Sequence, residues 1–298
     1  LAQIGIIDTA QGRVSNNGVN FVNWKKWLLR SGIVGIVVAA LSIGLLYNFQ
    51  ERIIFQQPSM SHAEAEKVTD RYDHVKEITF QSEGGEWLHG WLLDPEKGES
   101  EAKRLLIFYG GNNGELSREI RKMSRYLQDW SVLLVNYRGY GMSEGSPGEE
   151  ALYADALMIY DELQDQLEGE ITSTFLMGRS LGTAVATKVA SERQVDGLVL
   201  ISPFDTLTEV ARLHLPFLPV SWILRHHFDS QAHIGNTSVP LLVITGEDDQ
   251  IVPAERSQAL FADYKGPKQY EILTDRDHKN LHMDDRFWPA IQQFLDSE

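Results

Sequence analysis

Gly178-Arg179-Ser180-Leu181-Gly182 fits the pattern G-x-S-x-G. The run TFLMG before the serine reads as a strand and LGTAVATKVA after it as a helix, which is the setting a nucleophile elbow requires. Such a turn strains the serine backbone, and a Cβ at Gly178 or Gly182 would collide with the neighbouring strand or helix. The following helix also directs free N–H groups at the site. Serine at its own pKa is a weak nucleophile, so it needs a base, and the base needs a carboxylate to orient it. On this kind of scaffold the chain order is serine, acid, histidine. Glu247-Asp248-Asp249 follows the run PLLVITG, and Asp275-Arg276-Asp277-His278 follows KQYEIL, so the order is met.

Nine histidines compete for the base. His62, His74 and His89 precede the serine, and His214, His226, His227 and His233 precede the acid loop. Only His278 and His282 follow it, and His278 is the better placed. Their i, i+4 spacing suggests a metal pair, but the glutamate of a zincin motif is missing, so no metal and no cofactor is expected. Asp248 and Asp249 are adjacent and point in different directions, so one of them faces the histidine. An oxyanion hole needs two N–H donors aimed at developing charge. One is the amide of Leu181, directly after the serine. The other is expected from the loop Tyr109-Gly110-Gly111-Asn112-Asn113-Gly114, whose glycines allow close backbone approach. A phosphate-cradling loop would carry G-x-x-x-x-G-K-[ST], which is absent here.

The elements that must hold these groups alternate strand and helix. VKEITF and EWLHGWLLDP around QSEGG read as an antiparallel hairpin. Further strands are expected at 104–109, 131–137, 174–178, 197–202, 240–246 and 268–273. Helices are expected at about 151–167, 181–193 and 287–295, with an amphipathic stretch running to about Asp129. Continuous apolar runs such as LLVIT imply strands covered on both faces, hence a mostly parallel sheet wrapped by helices. Residues 204–239 break this rhythm. They contain LHLPFLPVSWILRHHF and read as a lid whose apolar side chains either receive an acyl chain, touch a membrane or simply pack over the sheet.

The first fifty residues are of a different kind. They hold four basic residues and one acidic, a local charge of +3, against −15 for all 298 residues and so −18 for the remainder. Ser31–Gln50 is 20 residues long with no charge, the length of a membrane-crossing helix. Trp24 and Trp27 precede it and Tyr47 and Phe49 close it, as interfacial aromatics do. It shows no polar stripe, against a buried soluble helix, and no small-x-small cleavage site, against a cleaved signal peptide. The expectation is an uncleaved anchor over 24–50 with Lys25, Lys26 and Arg30 on the cytoplasmic side. The body, 51–298, would then lie across the membrane, in the periplasm if the source is bacterial. Residues 1–23 read as a disordered tail. The acidic body repels phosphate backbones, which excludes nucleic acid as a partner. With no cysteine, disulfides, thiolate nucleophiles and cysteine-held metals are excluded as well.

With these motifs in order, the sequence resembles the α/β-hydrolase superfamily over about Gln50 to Leu295, and in particular its membrane-anchored single-domain serine hydrolases. ERIIFQQPS, NYRGYGMSEGSP, GRSLG, SPFDTL, RHHFDS and GEDDQIVP occur in the family's order. The family pattern G-x-x-D-x-x-V-P lands on Asp249, and its histidine on His278. Related oxyanion loops begin with His-Gly where this chain has Tyr109-Gly110, which puts the backbone donor at Gly111. The resemblance implies an α/β-hydrolase fold. It also implies cleavage of a small-molecule or lipid-like ester, thioester or amide through a Ser180 acyl-enzyme, with His278 as base and Asp249 as its orienting acid.

Overall fold

The structure is a computed structural model that describes residues 21–95 and 103–297. The expected tail lies outside the described residues up to position 20, while Phe21 to Asn23 are already helical. The chain divides into two units, residues 1–45 and 46–298. The described part of the first belongs to helix α1 (Phe21–Ile54), which starts three residues before the expected anchor and ends four residues after it. Ile33, Val34, Ile36, Val37, Val38 and Leu41 along it are exposed. Within Lys26–Ile54 an 18-residue window has a mean hydropathy of 2.1 and no buried residue, so by length and composition the helix can cross a membrane.

In the second unit, the run from Arg104 to Tyr109 shows how a sheet covered on both faces arises. Leu105, Ile107 and Tyr109 enter one apolar layer and Leu106 and Phe108 the other, as the two-residue period of a strand dictates. In chain order the strands are β1 (Val75–Gln81), β2 (Trp87–Leu93), β3 (Lys103–Tyr109), β4 (Ser131–Val135), β5 (Ile171–Arg179), β6 (Gly197–Ile201), β7 (Leu241–Gly246) and β8 (Lys268–Leu273). Across the sheet they run β1-β2-β4-β3-β5-β6-β7-β8. β1 and β2 form the expected hairpin, and β2 is also antiparallel to β4. The remaining pairs are parallel. This is the α/β-hydrolase fold.

One layer is built from α4 (Glu149–Gln166) and α5 (Leu181–Glu192), whose Leu152, Ile159, Val185 and Val189 are buried. The other is built from α2 (His62–Arg71), α3 (Ser117–Tyr126) and α10 (Phe287–Ser297), through Ala65, Ile120, Met123, Ile291 and Phe294. Several elements differ from the sequence expectation, among them the helix α9 (Ala254–Asp263), which had no predicted structure, and β5, which starts three residues early. The fourth strand stops at Val135 because Asn136 turns inward, its Oδ1 accepting the Leu116 N–H at 2.9 Å. The segment 62–71, which had no predicted structure, is helical, with the Glu64 carboxylate accepting the Ser61 N–H at 2.8 Å.

The segment 204–239 folds as α6 (Leu207–His214), α7 (Val220–Ile223) and α8 (Ser230–Ile234). Phe204, Val220, Ile223, Phe228 and Ile234 are buried under it, whereas Leu213, Phe217 and Trp222 face outward. The end of α1 is fastened to this segment. Gln50 donates to the Ile223 carbonyl at 3.1 Å and accepts the Arg225 N–H at 2.8 Å, and Phe55 packs on the ring of Phe228.

Candidate active site

Ser180 sits between the end of β5 and the start of α5 with φ +52° and ψ −118°, a left-handed region that costs a non-glycine residue about 1–3 kcal/mol. The surroundings enforce it. A Cβ on Gly178 would lie 2.4 Å from the Gly182 carbonyl oxygen, and one on Gly182 would lie 2.1 Å from the Tyr109 carbonyl oxygen. Strand and helix therefore approach closely enough to force the turn. The Ser180 N–H is tied to the Ile201 carbonyl at 2.8 Å, across β6. Leu181 opens α5, so its N–H has no partner within the helix's own ladder.

The acid follows β7 and the histidine follows β8. His278 bridges the two groups, with Nε2 3.0 Å from Ser180 Oγ and Nδ1 2.7 Å from Asp249 Oδ2. Asp249 is 4% exposed, and Asp248 faces solvent. Asp249 Oδ1 accepts the N–H groups of Ile251 and Val252 at 3.0 and 2.8 Å, and Oδ2 accepts the Ser202 hydroxyl at 2.9 Å. Burial alone would raise this carboxyl's pKa. The bonds from His278, Val252 and Ser202 outweigh it and hold the group below its ordinary range, as hydrogen bonding to the charged form does. The Arg179 guanidinium donates to the His278 carbonyl at 2.9 Å and steadies the histidine loop.

The glycine loop after β3 lies against the serine. A Cβ on Gly111 would stand 3.6 Å from Ser180 Cβ. The loop is pinned from behind: Tyr137 OH donates to the Gly110 carbonyl at 2.9 Å and Tyr140 OH to the Asn112 carbonyl at 2.8 Å, which also accepts the Gln56 N–H at 3.0 Å. In a trans peptide the N–H points opposite to the C=O, so the Gly111 N–H is directed away from Tyr137. Arg138, between the two tyrosines, forms a two-pronged pair with Asp155 at 2.7 and 2.5 Å. The Tyr109 side chain is buried in the core.

Ser180, His278, Arg179 and the glycine loop line a cleft of about 480 Å³ that also takes in Gln56, Arg118, Glu119, Ile251 and Lys279. His282 lines a separate, much smaller cavity beside Trp288. Among the described residues no group of three histidine or carboxylate side chains is arranged to hold a metal. Sequence reasoning missed Ser202, Arg179, Tyr137, Tyr140 and Gln56. The run NYRGYG carried the signal for the tyrosines, since glycines at positive φ (Gly139 +77°, Gly141 +58°) mark a tightly folded loop. Ser202 and Gln56 stand in SPFDTL and ERIIFQQPS, runs that carried the family likeness but no sign of these contacts.

The serine after β5, the buried carboxylate after β7 and the histidine after β8 thus meet in one hydrogen-bonded array at the same edge of the sheet. Residues 101–231 match the family described as "Serine aminopeptidase, S33". An uncharacterized protein of Mycobacterium tuberculosis (strain CDC 1551 / Oshkosh) is 33% identical over 268 residues, covering 88% of this chain and 94% of the relative. An uncharacterized membrane protein of Saccharomyces cerevisiae (strain ATCC 204508 / S288c) is 28% identical over 292 residues, covering 90% and 97%. Among solved structures an esterase of Pyrococcus furiosus superposes with a TM-score of 0.63 at 18% identity, over 80% of this chain and 95% of that one. The chain belongs to the α/β-hydrolase superfamily, and hydrolysis is the reaction class its family and neighbours support. The N-terminal apolar helix, together with the yeast relative, associates it with membranes.

Proposed function

We propose that the protein is a serine hydrolase that cleaves a carboxylic ester or thioester through a Ser180 acyl-enzyme. The observation that carries this is the Ser180–His278–Asp249 hydrogen-bonded array, with its carboxylate buried and kept charged. His278 Nε2 takes the Ser180 proton as Oγ attacks the acyl carbon, and then delivers it to the leaving group. Asp249 holds the Nδ1–H tautomer and stabilises the imidazolium. The N–H groups of Leu181 and Gly111 receive the oxyanion, an interaction worth about 10²–10³ in kcat per donor. Water, activated by the same histidine, then releases the acid.

The family name raises an aminopeptidase as the second reading. Such an enzyme needs a free carboxylate to grip an α-amino group. Of the glutamates at the cleft, Glu115 accepts the Ser117 N–H and hydroxyl, and Glu119 pairs with Lys122 at 2.7 Å. Both are engaged within α3, which favours the ester. The lid's apolar residues leave a lipid-like acyl chain, a membrane contact and packing over the sheet equally open. Among the described residues the apolar lining of the cleft is Phe108, Leu116 and Ile251, with no side chain from 204–239, so a short acyl group fits better. The basic flank of α1 supports a cytoplasmic N-terminus and a catalytic unit on the far side of the membrane.

Initial rates on 4-nitrophenyl esters of increasing chain length, acyl thioesters and aminoacyl 4-nitroanilides test the proposal, with Ser180→Ala as the blank. The expected result is turnover of short esters or thioesters that vanishes in the blank. Turnover confined to the anilides would replace the esterase with the peptidase.

A further inference from the structure

Phe217 is 97% exposed and Trp222 88%, in a segment whose other large apolar side chains, Leu213 apart, are buried or half-buried. Neither belongs to a loose loop. Leu218 N–H bonds to Leu215, Trp222 N–H to Pro219 and Leu224 N–H to Val220, at 3.1, 3.0 and 2.9 Å. Val220 and Ile223, alternating with them, are sunk in the core. The backbone therefore holds two large aromatic side chains outward in a fixed geometry. Each carries on the order of 150–250 Å² of surface left in water.

What covers them is indicated by what the segment grips. Ile223, the neighbour of Trp222, receives the Gln50 amide, and Arg225 is bonded to Gln50, to the Tyr47 carbonyl at 3.2 Å and to Glu51 at 3.2 Å, with its guanidinium over the Tyr47 ring. Gln50 is also the last residue of the uncharged span. The attachment point and the end of the apolar stretch coincide. Tyr47, Phe49 and Ile53 on the same part of α1 are likewise exposed. Aromatic residues gathered where an apolar helix ends are the mark of a bilayer interface.

We infer that Phe217 and Trp222 form a second membrane contact, which seats the catalytic unit on the lipid surface from which α1 emerges. The inference rests on the proposed membrane-spanning role of α1. The body is strongly acidic, so the contact is apolar insertion into lipid and is insensitive to salt. It also brings the active site near the bilayer. Gln56, which lines the Ser180 cleft, lies six residues beyond Gln50, at most about 20 Å of chain. The substrate class this adds to the proposed reaction is an ester presented at the lipid headgroup level.

The chain has no cysteine, so single cysteines can carry a fluorophore without background. Full-length Phe217→Cys, Trp222→Cys, Val37→Cys and Glu168→Cys are labelled and placed in phosphatidylcholine vesicles with or without lipids spin-labelled near the headgroup or at mid-chain. The expected result is loss of fluorescence at 217 and 222 with the shallow quencher, loss at 37 with the deep one, and no loss at 168, which lies in the turn before β5. Quenching at 37 without quenching at 217 and 222 would overturn the lipid contact while leaving the anchor intact. No quenching at 37 would remove the anchor and this inference with it. Shielding of 217 and 222 from aqueous iodide without lipid quenching would put a second copy of the chain on the patch instead.

Discussion

Replacing Gly182 with alanine should disable the site by squeezing it, without touching any of the reacting groups. The added Cβ would lie 2.1 Å from the Tyr109 carbonyl oxygen and 2.5 Å from that of Gly110. Relief requires roughly 1 Å of separation, since non-bonded heavy atoms settle beyond about 3 Å. Tyr109 is paired in register with Gly178 in the middle of the sheet and cannot retreat, so α5 must move. Leu181 and Ser180 move with it, away from Gly111. A displacement of 1 Å costs on the order of 100-fold, and loss of one oxyanion donor costs about 10²–10³ in kcat. The stability loss should be about 1–3 kcal/mol, as for other overpacked cores. The assay is kcat on the best ester together with the rate of fluorophosphonate labelling, beside a urea melt to show that the variant is folded. Gly235→Ala is the control, because its Cβ would meet nothing within 4 Å and it lies outside the cleft. A folded Gly182→Ala with wild-type kcat and labelling rate would refute the reasoning that the glycine sets the spacing of the hole.

Other consequences are equally direct. Ser180→Gly should be more stable than Ser180→Ala by on the order of 1 kcal/mol in a thermal or urea melt, since both lose the hydroxyl but only glycine accepts φ +52° without strain. Asp249→Asn should lower kcat by about 10³–10⁴, because the histidine loses its tautomer. It should also flatten the acid limb of stability: the Asp249 pKa is depressed in the folded chain, so its contribution is complete above the unfolded value near pH 4 and is lost as pH falls through the folded value. Urea melts between about pH 2 and 6 compare the two chains. Arg138→Met should cost about 3–5 kcal/mol by stranding the buried Asp155 carboxylate, and adding Asp155→Leu should recover much of it. A double variant no more stable than the single one would contradict that account.

The sequence made the fold legible where burial on both faces left unbroken apolar runs. GLVLI and LLVITG became β6 and β7 with every residue buried. The elbow was legible because its glycines leave a fixed spacing, and the acid and histidine because they follow strands in order. The choice between Asp248 and Asp249 was not available from adjacency alone, since both stand in the same turn. It depends on Ser202 and the Val252 amide converging on one carboxylate from separate elements. The same holds for Gln50 and Arg225, partners 175 residues apart, and for the tyrosines that brace the glycine loop from another strand end. Local pattern carries strands and turns, but the groups that orient a site are brought together only by the closed sheet. The helix over 62–71 is a different case, for its Ser61-Glu64 spacing was a readable start signal.

The most direct test of the central claim is labelling of the full-length protein by a fluorophosphonate, with the modified peptide identified by mass spectrometry. The account predicts a single adduct on Ser180, formed rapidly in the wild type, abolished in Ser180→Ala, and lost or slowed by orders of magnitude in folded His278→Ala. A folded wild type that takes no label, or an adduct on another residue that persists in Ser180→Ala, would contradict it.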